Sequence, residues 1–225
     1  MSILNDTVLE SNKYLKLNFN GGDLSSDAGL LLIKEFAYKL GFVNILKKEF
    51  KTNDSASFRF HKDDENLWQV IYQILGAYFE DDCADELTND PVLTAILSKK
   101  VLESQPTLSR FFNRMDESTL NQFYALMRRF RKVVYSGKKP EMLLLDLDST
   151  LLNTYGHQEG EGFNFHYQNR GYHPLVCYDG ITGDLLKIEL RNGTDYSSTG
   201  VTEFLQPLLD EFGAEYPDIP LLLRG

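Results

Sequence analysis

Through roughly the first 135 residues, apolar side chains recur three and four positions apart, the spacing of amphipathic helices. SSDAGLLLIKEFAYKLGF, from Ser25, begins with helix-starting residues and predicts a helix that stops at Gly41. DDENLWQVIYQILGAYF, entered through Asp63, Asp64 and Glu65, predicts a second helix. NDPVLTAILSKKV predicts a third, with Asn89 or Asp90 as cap and Pro91 in its first turn. TLSRFFNRM and STLNQFYALMRRFRKVVY supply two more. Phe58, Phe60, Trp68, Tyr72 and Tyr78 are expected in the core. At SGKKPE, Ser136 to Glu141, the pattern changes, and this polar hinge is the expected domain boundary. Beyond it EMLLLDLD reads as a buried strand, and HPLVCYD and DLLKIEL form a hairpin across GITG. STGVTEFLQPLLDEFGAEY then reads as a helix, capped by Ser198 or Thr199 and broken or kinked near Gln206 by Pro207. PDIPLLLRG closes the sequence as another apolar strand. The expected fold class is α+β: a helical domain over 1–137, then strand, hairpin, helix and strand over 138–225.

Composition adds little to that picture. The 225 residues are 42% hydrophobic and 25% charged, ordinary for a globular protein. No apolar run approaches the roughly 20 residues that cross a bilayer, and the first residues lack a signal-peptide pattern, so no membrane is expected and the cytoplasm is the expected location. Cys83 and Cys177 stand far apart and imply neither a disulfide framework nor a cysteine metal site. His157, His166 and His173 follow no compact zinc spacing.

Charge changes the picture more. The net charge is −10, yet residues 99–140 carry 10 basic and 3 acidic side chains, between blocks with 9 against 16 and 4 against 14. A basic island attracts phosphate whatever the total charge. Arg110, Arg114, Arg128, Arg129, Arg131 and Lys132, with Lys138 and Lys139 beyond, are therefore candidate DNA-binding residues. QPTLSRFFNR resembles the start of a recognition helix behind Pro106.

The candidate chemistry lies in LLLDLDSTLL. Asp146 and Asp148 stand two apart on a strand and so share one face. Two carboxylates at the end of an interior strand need a cation or a hydrogen-bond network to offset their burial. Two chemistries meet that need. The segment resembles motif one of the haloacid-dehalogenase-like phosphatases, which implies Asp146 as a magnesium-dependent nucleophile. No distal acidic pair follows to complete such a site. The alternative is two-metal phosphodiester chemistry, in which carboxylates on neighbouring strand ends hold two ions about 4 Å apart. Strand, hairpin, helix, strand is the order of the first half of a ribonuclease-H-like fold.

Asp146–Thr150 (DLDST), Tyr155–Gly160 (YGHQEG) and Gly171–Leu175 (GYHPL) together resemble the catalytic domain of bacterial insertion-sequence transposases of the DDE type. SQPTLSRF and SSDAGLLLIKEF upstream are similar to the same group, so the likeness covers most of the chain. It implies an enzyme that cuts and joins DNA at insertion-sequence ends with Mg2+. It also implies Asp148 as the first triad acid and metal ligand, with Asp146 beside it as a supporting acid or, with the pair read one position out, as the ligand itself. In that family an aspartate follows the LLLRG strand, and a glutamate comes much later from a helix. The sequence stops at Gly225, before both, so the expectation is a C-terminally truncated transposase, inactive alone. A non-catalytic DNA-binding or dimerising remnant is the further alternative. The expected partners are DNA ends and a second copy of the chain.

Overall fold

The computed structural model describes residues 6–22 and 24–225. Helices and mixed sheets make it an α+β protein. The chain divides into two compact units between Val133 and Val134.

In the first unit a short antiparallel ribbon, β1 (Thr7–Val8) with β2 (Lys16–Leu17), precedes the helices α1 (Leu30–Lys39), α2 (Phe42–Glu49), α3 (Asp63–Leu75), α4 (Cys83–Glu86), α5 (Pro91–Leu97), α6 (Gln105–Phe112) and α7 (Glu117–Gly137), whose residues from Val134 on belong to the second unit. The helix expected to stop at Gly41 is followed at once by α2. Gly41 adopts a left-handed φ of 73°, which other residues rarely take, and beyond it Leu46 and Ile45 pack in the core while Phe42 stacks on Phe130. Ser25 and Asp27 do not cap α1, whose N-cap is Gly29. Of the two candidate caps for α5, Asp90 serves: its Oδ1 accepts the N–H groups of Val92 and Leu93 at 2.9 and 2.7 Å. Asp116 and Thr119 exchange side-chain and backbone hydrogen bonds at the start of α7.

Among the described residues two hydrophobic clusters fill this unit. Leu30, Leu31, Tyr72, Leu93 and Ile96 centre one, and Leu46, Phe50, Leu67, Phe111 and Leu126 the other. Tyr72 is core as expected, and Trp68 and Tyr78 pack at its margin. Phe58 and Phe60 are not core. They are 78% and 80% exposed, because the irregular stretch before α3 has no helical face to turn them inward.

In the second unit, a four-stranded sheet is built from β3 (Leu143–Ser149), β7 (Leu175–Asp179), β8 (Leu185–Glu189) and β9 (Leu221–Arg224), in the order β8-β7-β3-β9. β7 and β8 form the expected antiparallel hairpin. Helix α8 (Val201–Glu215) returns the chain so that β9 runs parallel to β3. Leu143 and Leu145 of β3 face Phe204, Leu205, Leu208 and Phe212 of α8. Gly200 is the N-cap of α8, not Ser198 or Thr199. Pro207 does not break the helix: it and Glu203, whose carbonyl loses its helical N–H, are both exposed, and water can satisfy the oxygen.

Between β3 and β7 the chain makes a three-stranded ribbon, β4 (Leu152–Asn153), β5 (Gly162–Asn164) and β6 (Asn169–Tyr172), in the order β4-β6-β5. Its backbones approach so closely that glycine is required. A Cβ on Gly193 would lie 2.3 Å from the carbonyl oxygens of both Gly162 and Gly171.

Candidate active site

β3 is hydrogen-bonded on both sides, so the acids at its end stand on the sheet's central strand. Leu143, Leu145 and Leu147 point into the core, and the alternate positions Leu144, Asp146 and Asp148 take the other face. The pair then separates. Asp146 lies in register with Arg224 on β9, whose guanidinium grips both its oxygens: Nε donates to Oδ1 at 2.8 Å and Nη2 to Oδ2. Those hydrogen bonds hold the Asp146 carboxyl below its ordinary range. Gly180, just past β7, keeps this face open, because a Cβ there would come within 2.9 Å of Leu144 and 3.3 Å of Asp146.

Asp148, one step nearer the tip, is exposed, and its Oδ1 accepts the N–H of Ser149 at 2.7 Å. It lines a cavity of about 300 Å3 with Ser149, Ser197, Ser198, Val201 and Gly225. Two buried side chains hold the loop that supplies this wall. Arg191, 7% exposed, donates from Nε to the His173 carbonyl at 3.0 Å and from Nη1 to the carbonyls of Tyr196 at 3.2 Å and Thr199 at 2.5 Å. His173, 3% exposed, makes a 2.8 Å hydrogen bond from Nδ1 to the Asp195 carbonyl. Sequence reading missed Arg191. Its one signal is a cation inside an otherwise acidic stretch, just before the turn-forming NG pair.

Hydroxyl and carboxylate oxygens suit a hard divalent ion. Asp148 with the neighbouring Ser149, Ser197 and Ser198 fits as one side of such a site. Among the described residues, no trio of His, Cys, Asp or Glu ligand atoms within 4.8 Å of one another includes Asp148.

The basic candidates divide. Arg110 is exposed on α6, with Nη2 donating to Thr107 Oγ1 at 3.3 Å. Arg128 and Arg129 are exposed on α7, Arg129 reaching Glu49 at 4.0 Å, and Arg131 and Lys132 are half-buried one turn on. Arg114 faces inward. Nη2 donates to Asp63 at 2.9 Å, Nε to Thr52 at 3.2 Å and Nη1 to the Arg110 carbonyl at 3.0 Å.

The family model described as transposase DDE domain group 1 matches residues 8–225. The chain belongs to that family. No curated protein and no solved structure matches it significantly. Transposases of the DDE group act on DNA, and their DDE domains use divalent metal ions. Among the described residues no helix is long and apolar enough to cross a membrane. In this DDE transposase chain Cys83 and Cys177 are free thiols, and burial pushes Cys177 up to about 11, which removes it from thiolate chemistry near neutrality. His157 and His166 are exposed, and neither they nor His173 joins a three-ligand group among the described residues.

Proposed function

We propose that the second unit is the first half of a ribonuclease-H-like catalytic domain of an insertion-sequence transposase, with Asp148 as its first metal-binding acid. The observation that carries the reading is the order β8-β7-β3-β9, an antiparallel meander with a parallel fourth strand, and Asp148 at the end of its central strand. Mg2+ bound there would activate the attacking hydroxyl or water and stabilise the leaving oxygen of an in-line phosphodiester displacement. Asp146 and Arg224 lock β3 to β9 and fix where Asp148 stands. The same register sets the position after Gly225 beside Asp148, at the roughly 4.8 Å spacing of neighbouring strands. That is where the family resemblance expects the second acid.

Arg110, Arg128, Arg129, Arg131 and Lys132 contact DNA phosphates, while Arg114 holds the helical unit together. The chain acts on DNA ends as a dimer. The phosphatase alternative needs a free Asp146 nucleophile in a doubly wound sheet. Arg224 occupies both Asp146 oxygens and β7 runs antiparallel to β3, so neither observation favours it.

A polypeptide of these 225 residues carries one of the three acids of the proposed centre, so it binds DNA without cutting it. The test is a duplex bearing an insertion-sequence end, incubated with the polypeptide and Mg2+. Salt-sensitive binding without nicking is expected, equal for Asp148→Asn, with no beryllofluoride adduct. Nicking that requires Asp148 would overturn the one-acid account. An adduct lost in Asp146→Asn would establish the phosphatase instead, and absence of DNA binding would refute the whole reading.

A further inference from the structure

A second cluster of ligand-type side chains lies in the helical unit. His61 and Glu65 stand at the entrance to α3, and Glu103 follows α5. One ligand atom from each lies within 4.8 Å of the others. Glu103 is fully buried. The Gln69 amide fixes its backbone, donating from Nε2 to the Glu103 carbonyl and accepting the Glu103 N–H, both at 2.8 Å. Glu65 Oε2 accepts the Lys62 N–H at 3.2 Å, which anchors it to the helix start. Burial alone would raise the Glu65 carboxyl, but the Lys99 hydrogen bond and the Lys62 N–H outweigh it and leave it lowered.

Lys99 now occupies the centre. Its ammonium meets Glu103 Oε1, lies 3.0 Å from Glu65 and is 3.1 Å from His61 Nδ1. Those contacts cannot all be satisfied at once. His61 Nδ1 is also 2.8 Å from Glu103 Oε1, so it must carry a proton for the glutamate and lack one for the lysine. Glu103 Oε2, moreover, is buried with no hydrogen-bond partner. An uncompensated carboxylate oxygen at that depth is costly.

A metal ion removes both conflicts. It accepts the imidazole lone pair and one oxygen from each glutamate without any proton between them, and a chelating Glu103 employs Oε2 as well. We propose that His61, Glu65 and Glu103 form a site for a Zn2+-class divalent ion, with Lys99 as a tethered cation that competes for it. One nitrogen and two carboxylates suit such an ion, and a chelating Glu103 brings the donor atoms to four. The adjoining cavity of about 440 Å3, lined by Phe60, Lys100 and Val101, gives the displaced Lys99 side chain room. The bound ion would tie the segment before α3 to the segment after α5.

Co2+ added to the 225-residue protein reads the site by its visible absorption, and Zn2+ competes the signal away. Lys99→Met should bind Co2+ about tenfold tighter, because the ammonium that competes for the same ligand atoms is removed. His61→Ala and Glu65→Gln should each weaken binding by about tenfold or more, and Zn2+ should raise the melting temperature of the parent but not of His61→Ala. If Lys99→Met does not fold, the His61→Ala and Glu65→Gln comparison still decides. Co2+ binding indifferent to both those variants, or a folded Lys99→Met that binds no tighter than the parent, would overturn the proposal.

Discussion

Arg114 separates a basic residue that builds the protein from one that meets DNA, and its replacement by alanine has a calculable outcome. The Arg114 and Asp63 side chains are 15% and 16% exposed, and Arg114 also supports Thr52 and the Arg110 carbonyl. Stranding one partner of a fully buried ion pair costs about 3–5 kcal/mol, whereas an exposed pair contributes about 0–1 kcal/mol. Partial exposure puts this pair between those limits, so Arg114→Ala should destabilise the helical unit by about 2 kcal/mol. At this size that lowers the melting temperature by about 6–8 °C. Differential scanning calorimetry measures it, and Arg114→Lys should restore part of the loss by keeping the charge while losing the fork. DNA affinity is measured alongside as a function of salt, where each lost phosphate contact reduces the logarithmic slope by about 0.9. Arg114→Ala should leave the slope unchanged. An unaltered melting temperature with a slope reduced by one contact would refute this assignment.

Reversing Arg128, Arg129 and Arg131 together to Glu should leave melting nearly unchanged and abolish DNA retention in a gel-shift assay at moderate salt; undiminished binding would remove α7 from the DNA surface. Asp63 and Glu65 titrate below their ordinary values of 3.8 and 4.5, so they stabilise the fold above those values and lose that contribution as pH falls through their lowered folded values; Asp64, raised by burial, opposes them. Melting temperature should therefore fall on acidification below about pH 4, and less steeply in Arg114→Ala; a parallel fall in parent and variant would contradict the pairing. Gly193→Ala should destabilise the second unit by about 1–3 kcal/mol, since its methyl meets two carbonyl oxygens. Gly213→Ala, in open space within α8, should stabilise it by about 0.5–1 kcal/mol, and urea denaturation distinguishes the two. Appending Asp after Gly225 should tighten Mn2+ binding relative to appended Asn, and Asp148→Asn should erase the difference; an equal response in both would break the proposed register.

Periodicity exposed the elements whose burial repeats regularly. The alternating leucines of β3 and the apolar face of α8 could be read directly, because a strand and a helix each impose one spacing on their buried side. Phe58 and Phe60 misled for the opposite reason: hydrophobicity says what a side chain prefers, and an irregular backbone decides whether it is met. α2 was hidden because Gly41 reads equally as a stop or a left-handed hinge, although Phe42, Ile45 and Leu46 already had helical spacing. At the candidate site, the shared face of Asp146 and Asp148 followed from a two-residue period. That Arg224, 78 positions away, takes one acid and leaves the other could not, since only the parallel register of β3 and β9 brings them together. Arg191 stood out only as a cation in an acidic stretch; its role was hidden because its partners are backbone carbonyls, which carry no sequence signature.

The central place of β3 has a consequence for motion. Its peptide groups are shared between β7 and β9, and its leucines lie beneath α8, so the amides from Leu143 to Leu147 should exchange with deuterium only when the whole second unit opens. Asp148 is thus mounted on the slowest-opening segment of its unit, and its backbone position should persist through fluctuations that rearrange the loops around it.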